Sequence, residues 1–145
     1  MTPCLVDVNV WLALLAARHV HHETASRWFD SLRAEEAGMC RIVQLAVVRL
    51  LGNRTVMGDD SVPAAEAWNI VGQLLEDERV AFVAEPSGVD FILPELFRYP
   101  VPTGKLVVDA YLAAFAIAAS RKMVTTDRGF SQFRGLEVTL LVQHH

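Results

Sequence analysis

Three aspartates stand at positions where a carboxylate needs a reason. Asp7 follows the apolar run "CLV" in "CLVDVNVW", Asp127 follows "MVTT" in "MVTTDRGF", and Asp109 lies near the start of "LVVDAYLAAFAIAASR". A carboxylate at the end of a buried strand is costly unless it is capped, paired or holding a metal. If the strands carrying Asp7 and Asp127 are neighbours, the two come within metal-bridging range, and the helix that feeds the second strand brings Asp109 to the same edge. Three carboxylates in one pocket repel, so one is protonated or cations sit among them. Oxygen ligands without histidine or cysteine favour Mg2+ or Mn2+ over zinc. Such sites activate water and stabilise the departing oxygen in phosphodiester cleavage. Each aspartate alone also has a plainer reading: Asp7 as a helix cap, Asp109 as an acid facing a helix dipole, Asp127 as a turn residue before Gly129.

The elements that must position these residues alternate. "CLV" reads as a short buried strand and "VWLALLAARH" as a helix, with Asp7 or Asn9 as its cap. "HHETASRWFDSLRAEE" has helical apolar spacing at Ala25, Trp28, Phe29 and Leu32, with Gly38 expected to end it. "MCRIV" reads as a second strand and "QLAVVRLL" as a helix closed by "GN". Ser61 is the expected cap of a helix through "AAEAWNIVGQLLEDE", with Pro63 near its first turn. "RVAFVAEP" is a third strand, "SGVDFILPELFRYP" a helix-like segment broken by Pro94, and "VPTGK" a loop. "LVVDAYLAAFAIAASR" is apolar nearly all round and hence a buried helix, with Asp109 in its first turn. "KMVTT" and "LEVTLL" complete five strands. Strands alternating with helices imply an α/β domain with a mostly parallel sheet. In such sheets ligands collect beyond the carboxyl ends of the strands, where strand order reverses.

The 145 residues fit one domain, residues 1–145, and 52% are apolar, which favours a packed core over a disordered chain. No apolar run is long enough to span a membrane and no signal peptide is evident, so no membrane partner is expected. Cys4 and Cys40 lie in apolar strand-like runs and read as small buried thiols, consistent with a reducing cytoplasm. A net charge of -4 marks no polycation for nucleic acid, although acidic ligands lower net charge and bound cations would offset it.

"LVDVNVWLAL", "DAYLAAFA" and "VTTDRGF", in this order and at these separations, resemble the PIN-domain family, and more narrowly its VapC toxin branch. "RLLGN", "EAWNIVGQLLEDERV" and "EPSG" are similar to parts of one VapC subgroup, so the resemblance covers essentially the whole chain. It implies a three-layer PIN-like α/β fold with a five-stranded mostly parallel sheet flanked by helices, found as a homodimer. It implies a Mg2+- or Mn2+-dependent cytoplasmic endoribonuclease held in check by a cognate VapB-type antitoxin, with transfer RNA the family-based substrate. By this resemblance Asp7, Asp109 and Asp127 are the catalytic metal ligands, and Asn9 and Thr126 are polar residues that orient them or a water.

One departure matters. PIN nucleases commonly carry a further acid three residues before an arginine in the third helix, and here Ala46 precedes Arg49. Gln44 is one candidate for that fourth position. Glu85 is another, although an edge strand would set it roughly 10 Å away. Arg49, Arg54 and Arg128 are candidate phosphate contacts for RNA, against the plainer reading of solvated surface arginines. His19, His21 and His22 in "HVHHE" lack a zinc-ligand spacing, and His22 is expected to pack near a helix start. Trp11, Trp28 and Trp68 read as core or dimer contacts. Two rival readings stand beside the nuclease: a degenerate PIN module that binds antitoxin or RNA without cutting, and a doubly wound phosphatase. Asn9, where such phosphatases carry the second aspartate of a DxD pair, argues against the latter.

Overall fold

The computed structural model describes residues 2–98 and 104–142. Five three- or four-residue strands carry the fold: β1 (Cys4–Val6), β2 (Ala37–Met39), β3 (Val80–Phe82), β4 (Lys122–Thr125) and β5 (Val138–Leu140). They form one sheet in the order β3-β2-β1-β4-β5, and every neighbouring pair is parallel. β1 and β2 are buried along their whole length, as strands covered on both faces must be. The expected adjacency of the strands that carry Asp7 and Asp127 therefore holds: Val6 lies opposite Val124, and the Asp7 N–H donates to the Val124 carbonyl at 2.9 Å.

Between β1 and β2 run α1 (Val8–Leu15) and α2 (His22–Asp30). Between β2 and β3 run α3 (Arg41–Leu51), the short α4 (Arg54–Met57) and α5 (Ala64–Glu76). These connections move outward from the sheet centre. The next one, through α6 (Val89–Leu96) and α7 (Gly104–Ala118), returns across β2 and β1 to reach β4. Right-handed crossovers in opposite directions place helices on opposite faces. Accordingly α1 packs on α2 and α3, α3 packs on α5, and α6 packs on α7. The result is the expected three-layer fold, with the strand order reversing between β1 and β4. Trp11 is fully buried under this junction, and its indole N–H donates to the Val6 carbonyl at 3.1 Å.

Several boundaries differ from the sequence expectation. Gly38 does not end α2, which stops at Asp30; it lies within β2, beside Leu5. A Cβ there would stand 2.6 Å from the Cys4 carbonyl oxygen, so the glycine serves close strand approach rather than a helix end. The second strand is accordingly Ala37–Met39, and "RIV" already belongs to α3, with Cys40 at its N-cap. Ser61 does not cap α5; Pro63 holds that position in extended conformation. Pro94 does not break α6: it falls in the second half of a short helix, where its missing N–H removes a single intrahelical bond. The "VP" and Thr103 of the expected loop lie outside the described residues, and Gly104 and Lys105 already belong to α7. Asp109 therefore sits in the second turn of that helix. Both cysteines are free and buried, and burial pushes the Cys4 thiol up to about 11. Among the described residues, no helix is long and apolar enough to cross a membrane.

Because Gly38 sets the β1–β2 approach, Gly38→Ala is expected to cost about 1–3 kcal/mol through overpacking. The thermal midpoint should fall by several degrees; an unchanged midpoint would show that the strands can part without penalty.

Candidate active site

Asp7, Asp109 and Asp127 gather at the carboxyl edge of β1 and β4, where the sheet reverses its strand order. Asp7 is the first residue beyond β1 and the N-cap of α1. Its Oδ1 accepts from the Val8 N–H at 2.8 Å, and its Oδ2 accepts from the Thr125 hydroxyl at 2.7 Å. The Thr125 oxygen in turn accepts from the Asp127 N–H at 3.0 Å. One fully buried hydroxyl thus links the two strand ends. Asp127 is fixed further by the Gly129 N–H, which donates to its Oδ1 at 2.8 Å, and by Lys105, whose Nζ donates to its Oδ2 at 3.3 Å.

Asp109 differs from the other two. It projects from α7 with 9% of its surface exposed, and no described residue donates a hydrogen bond to its carboxylate. Burial raises its carboxyl above the ordinary range, Lys105 works in the other direction, and the charges of Asp7 and Asp127 add to the rise. Asp7 is raised chiefly by burial, against the Thr125 and Val8 hydrogen bonds, with Asp127 adding to the rise. Asp127 is held below the ordinary range, chiefly by the Gly129 N–H. The Lys105 ammonium is held charged, first by its bond to Asp127 and then by the fields of Asp127, Asp109 and Asp7.

Among the described residues, no three acidic, histidine or cysteine side chains stand close enough to form a closed metal shell. The three aspartates share an edge and feel one another's charge, but they do not converge tightly. Among the described residues one ammonium, that of Lys105, acts on all three. The donor set nevertheless fits a hard divalent cation: the side-chain atoms are all oxygen, two of the carboxyls are raised by burial and like charge, and no described residue donates to the Asp109 carboxylate.

Asn9 is exposed in the first turn of α1. Thr126 is half-buried, and the bonds to Asp7 and Asp127 are made by its neighbour Thr125. Gln44 is buried, and its side-chain oxygen accepts from Arg41. Glu85 is exposed and accepts from the Tyr111 hydroxyl; it is not among the charges acting on Asp109. Ala46 is half-buried in α3. Arg49, Arg54 and Arg128 are exposed, with Arg54 facing Asp59 at 3.8 Å. His22 packs at the start of α2, with Nδ1 2.7 Å from the Ala13 carbonyl. Trp68 is 45% exposed, with the Arg41 guanidinium 5.9 Å from its ring centre, so it is not a core residue.

Two groups at this edge escaped the sequence reading. Thr125 stands two residues before Asp127, the spacing at which a hydroxyl accepts a backbone N–H in a turn. Lys105 precedes Asp109 by one helical turn, which places it on the same helix face.

The raised carboxyl of Asp109 has a measurable consequence. Its ionised form is disfavoured in the fold relative to the unfolded chain. The stability at this position is complete below the unfolded carboxyl pKa, about 3.9, and is lost as pH rises through the higher folded value. Asparagine cannot ionise. Metal-free Asp109→Asn should therefore melt roughly 2–5 °C above the parent at pH 7, the gap closing towards pH 4. A variant that melts no higher at pH 7 would show that the carboxylate is not under electrostatic strain.

Comparison with known proteins identifies the family. The PIN domain family model matches residues 4–136. The chain is 39% identical over 144 residues to Ribonuclease VapC41 of Mycobacterium tuberculosis, covering 96% of this chain and 99% of that one. It is 30% identical to Ribonuclease VapC39 of the same organism, covering 85% and 87% of the two chains. Among solved structures, the DNA-bound VapBC of Salmonella typhimurium superimposes with a TM-score of 0.68 at 14% identity, covering 98% of this chain and 100% of that one. Mycobacterium tuberculosis VapC20, a toxin that cleaves the sarcin-ricin loop, does so with a TM-score of 0.63 at 20% identity, covering 92% and 98%. With the three motifs in place at the reversing edge of the sheet and these matches along nearly its whole length, the chain belongs to the PIN-domain family, in its VapC branch.

Proposed function

We propose that this chain is the toxin of a toxin–antitoxin pair, a Mg2+- or Mn2+-dependent endoribonuclease that a cognate VapB-type antitoxin neutralises in the cytoplasm. The observation that carries the reading is the Asp109 carboxylate. It is buried, receives no hydrogen bond from any described residue and feels the charge of two further carboxylates at the reversing edge of the sheet. A structural role explains Asp7 as a helix cap and Asp127 as a turn residue. It does not explain Asp109.

In this reading Asp7 and Asp109 hold the principal cation, and Asp127 completes the site or holds a second ion. Bound there, the ion lowers the pKa of water and neutralises charge on the scissile phosphate and the departing oxygen. The protein's own work is positioning. Thr125 and the Val8 N–H fix both oxygens of Asp7, and Gly129 fixes one oxygen of Asp127, so ligands on two strands need little reordering when RNA arrives. Cleavage leaves a 5′-phosphate and a 3′-hydroxyl. Arg128 follows Asp127 directly and is exposed, which suits contact with a phosphate beside the cut. Arg49, in the last turn of α3, and Arg54, at the start of α4, are exposed and serve as more distant contacts. Transfer RNA is the substrate class we favour. A homodimer belongs to the same reading: Ile42 and Leu45 on α3, Trp68 on α5 and Phe82 on β3 are exposed apolar side chains that a second copy would cover.

The relatives' names support the activity, since VapC41 and VapC39 are both called ribonucleases. A second reading, a non-catalytic module that binds antitoxin or RNA, draws on Ala46 and on Gln44, whose oxygen is already engaged by Arg41. One experiment separates the two. Purified, antitoxin-free protein is incubated with total cellular RNA in Mg2+, in Mn2+ and in EDTA, beside Asp7→Ala, Asp109→Ala and Asp127→Ala. Discrete metal-dependent cuts are expected, falling by about 100-fold or more in each variant. Absence of cutting by folded parent protein would favour the non-catalytic module, and full activity of Asp109→Ala would overturn the site.

A further inference from the structure

The acid cluster already holds a cation: the ammonium of Lys105. Lys105 lies in the first turn of α7, one turn before Asp109, and its Nζ stands 3.3 Å from Asp127 Oδ2. The charges of Asp109 and Asp7 act on the same ammonium. Three carboxylates with a single positive charge among them remain under-neutralised, which agrees with the absence of a closed shell around them among the described residues. The Lys105 side chain is itself three-quarters exposed, and Asp127 is about one-third exposed. An ion pair of that exposure is weak. It therefore holds the site in the absence of metal without locking it.

We propose that Lys105 is a tethered counter-ion of the site, occupying the Asp127 oxygen in the metal-free protein and yielding it when a divalent cation binds. It is a positioning residue that sets how much free metal the protein needs, and the inference rests on the metal-ion reading of Asp7, Asp109 and Asp127. Lysine suits this role. Its ammonium is a point charge on a flexible four-carbon stem that can swing into water, whereas an arginine fork would grip the carboxylate through two bonds and release it less readily. The attachment point matters as well. Because Lys105 shares a helix with Asp109 and bonds Asp127, displacing it frees an oxygen beyond β4 while leaving the ligand on α7 in place.

The test measures metal binding directly and needs no RNA. Metal-free parent, Lys105→Met, Lys105→Arg and Asp109→Ala proteins, each confirmed as folded by circular dichroism, are titrated with Mn2+. Free Mn2+ is followed by electron paramagnetic resonance, and the thermal midpoint is recorded with and without metal. Lys105→Met is expected to bind Mn2+ roughly three- to tenfold more tightly than the parent, with a larger metal-induced rise in midpoint, and Lys105→Arg to bind it more weakly. Raising the salt should narrow the gap between Lys105→Met and the parent, because an exposed ion pair is screened. Equal or weaker Mn2+ binding by Lys105→Met, or tighter binding by Lys105→Arg, overturns the counter-ion role while a loss of binding in Asp109→Ala still upholds the metal site. Failure of the folded parent to bind Mn2+ at all overturns both.

Discussion

The structure turns on one constraint: three carboxylates must share an edge that their own charges oppose. The parallel pairing of β1 with β4 imposes the meeting, because Val6 lies opposite Val124, so Asp7, just past the end of β1, and Asp127, two residues past the end of β4, leave the same edge of the sheet. The Thr125 hydroxyl makes it tolerable, donating to Asp7 and accepting from the backbone of Asp127. A hydroxyl can do both at once, which neither a carboxylate nor an ammonium can. The surrounding core is closely packed at this junction. β1 is fully buried, Trp11 is pinned to the Val6 carbonyl, and the close approach at Gly38 holds β2 against the other side of β1.

The electrostatic consequence is uneven. Asp127 is favoured as an anion by its local backbone, whereas Asp7 and Asp109 are disfavoured by burial and by their neighbours. The fold thus carries strain at two of the three positions, and the rest of the domain must outweigh it. Sites where activity requires a poorly solvated charge commonly reduce stability in this way. Such strain would favour a bound cation, since the same groups that repel in its absence coordinate in its presence.

Much of the arrangement could be read from the chain. The strand–helix alternation led to a parallel sheet, and "CLVD" and "VTTD" marked the ends of strands that are neighbours in the fold. Apolar periodicity does not report how closely two backbones approach, and so Gly38 looked like a helix end when it is a strand contact. Nor does it say which of two adjacent threonines turns inward. Thr125, the last residue of β4, points into the core, and Thr126 has already left the strand. Lys105 was hidden for a different reason. Its partner is not the aspartate one turn along its own helix but Asp127, 22 residues away and across the α7–β4 junction. Pairings of that kind depend on tertiary packing, which local spacing cannot show.

The plain and the chemical readings of an aspartate need not compete. Asp7 caps α1 and Asp127 closes a turn, and both also face the shared edge. A helix cap contributes about 1 kcal/mol. Alanine at Asp7 therefore removes a folding contact together with a charge, and a loss of activity there would mix the two. Asp109 has no such second role. It is neither cap nor turn, and no described protein donor reaches it. Replacing it subtracts charge and little else. Of the three it is therefore the residue whose substitution separates chemistry from architecture.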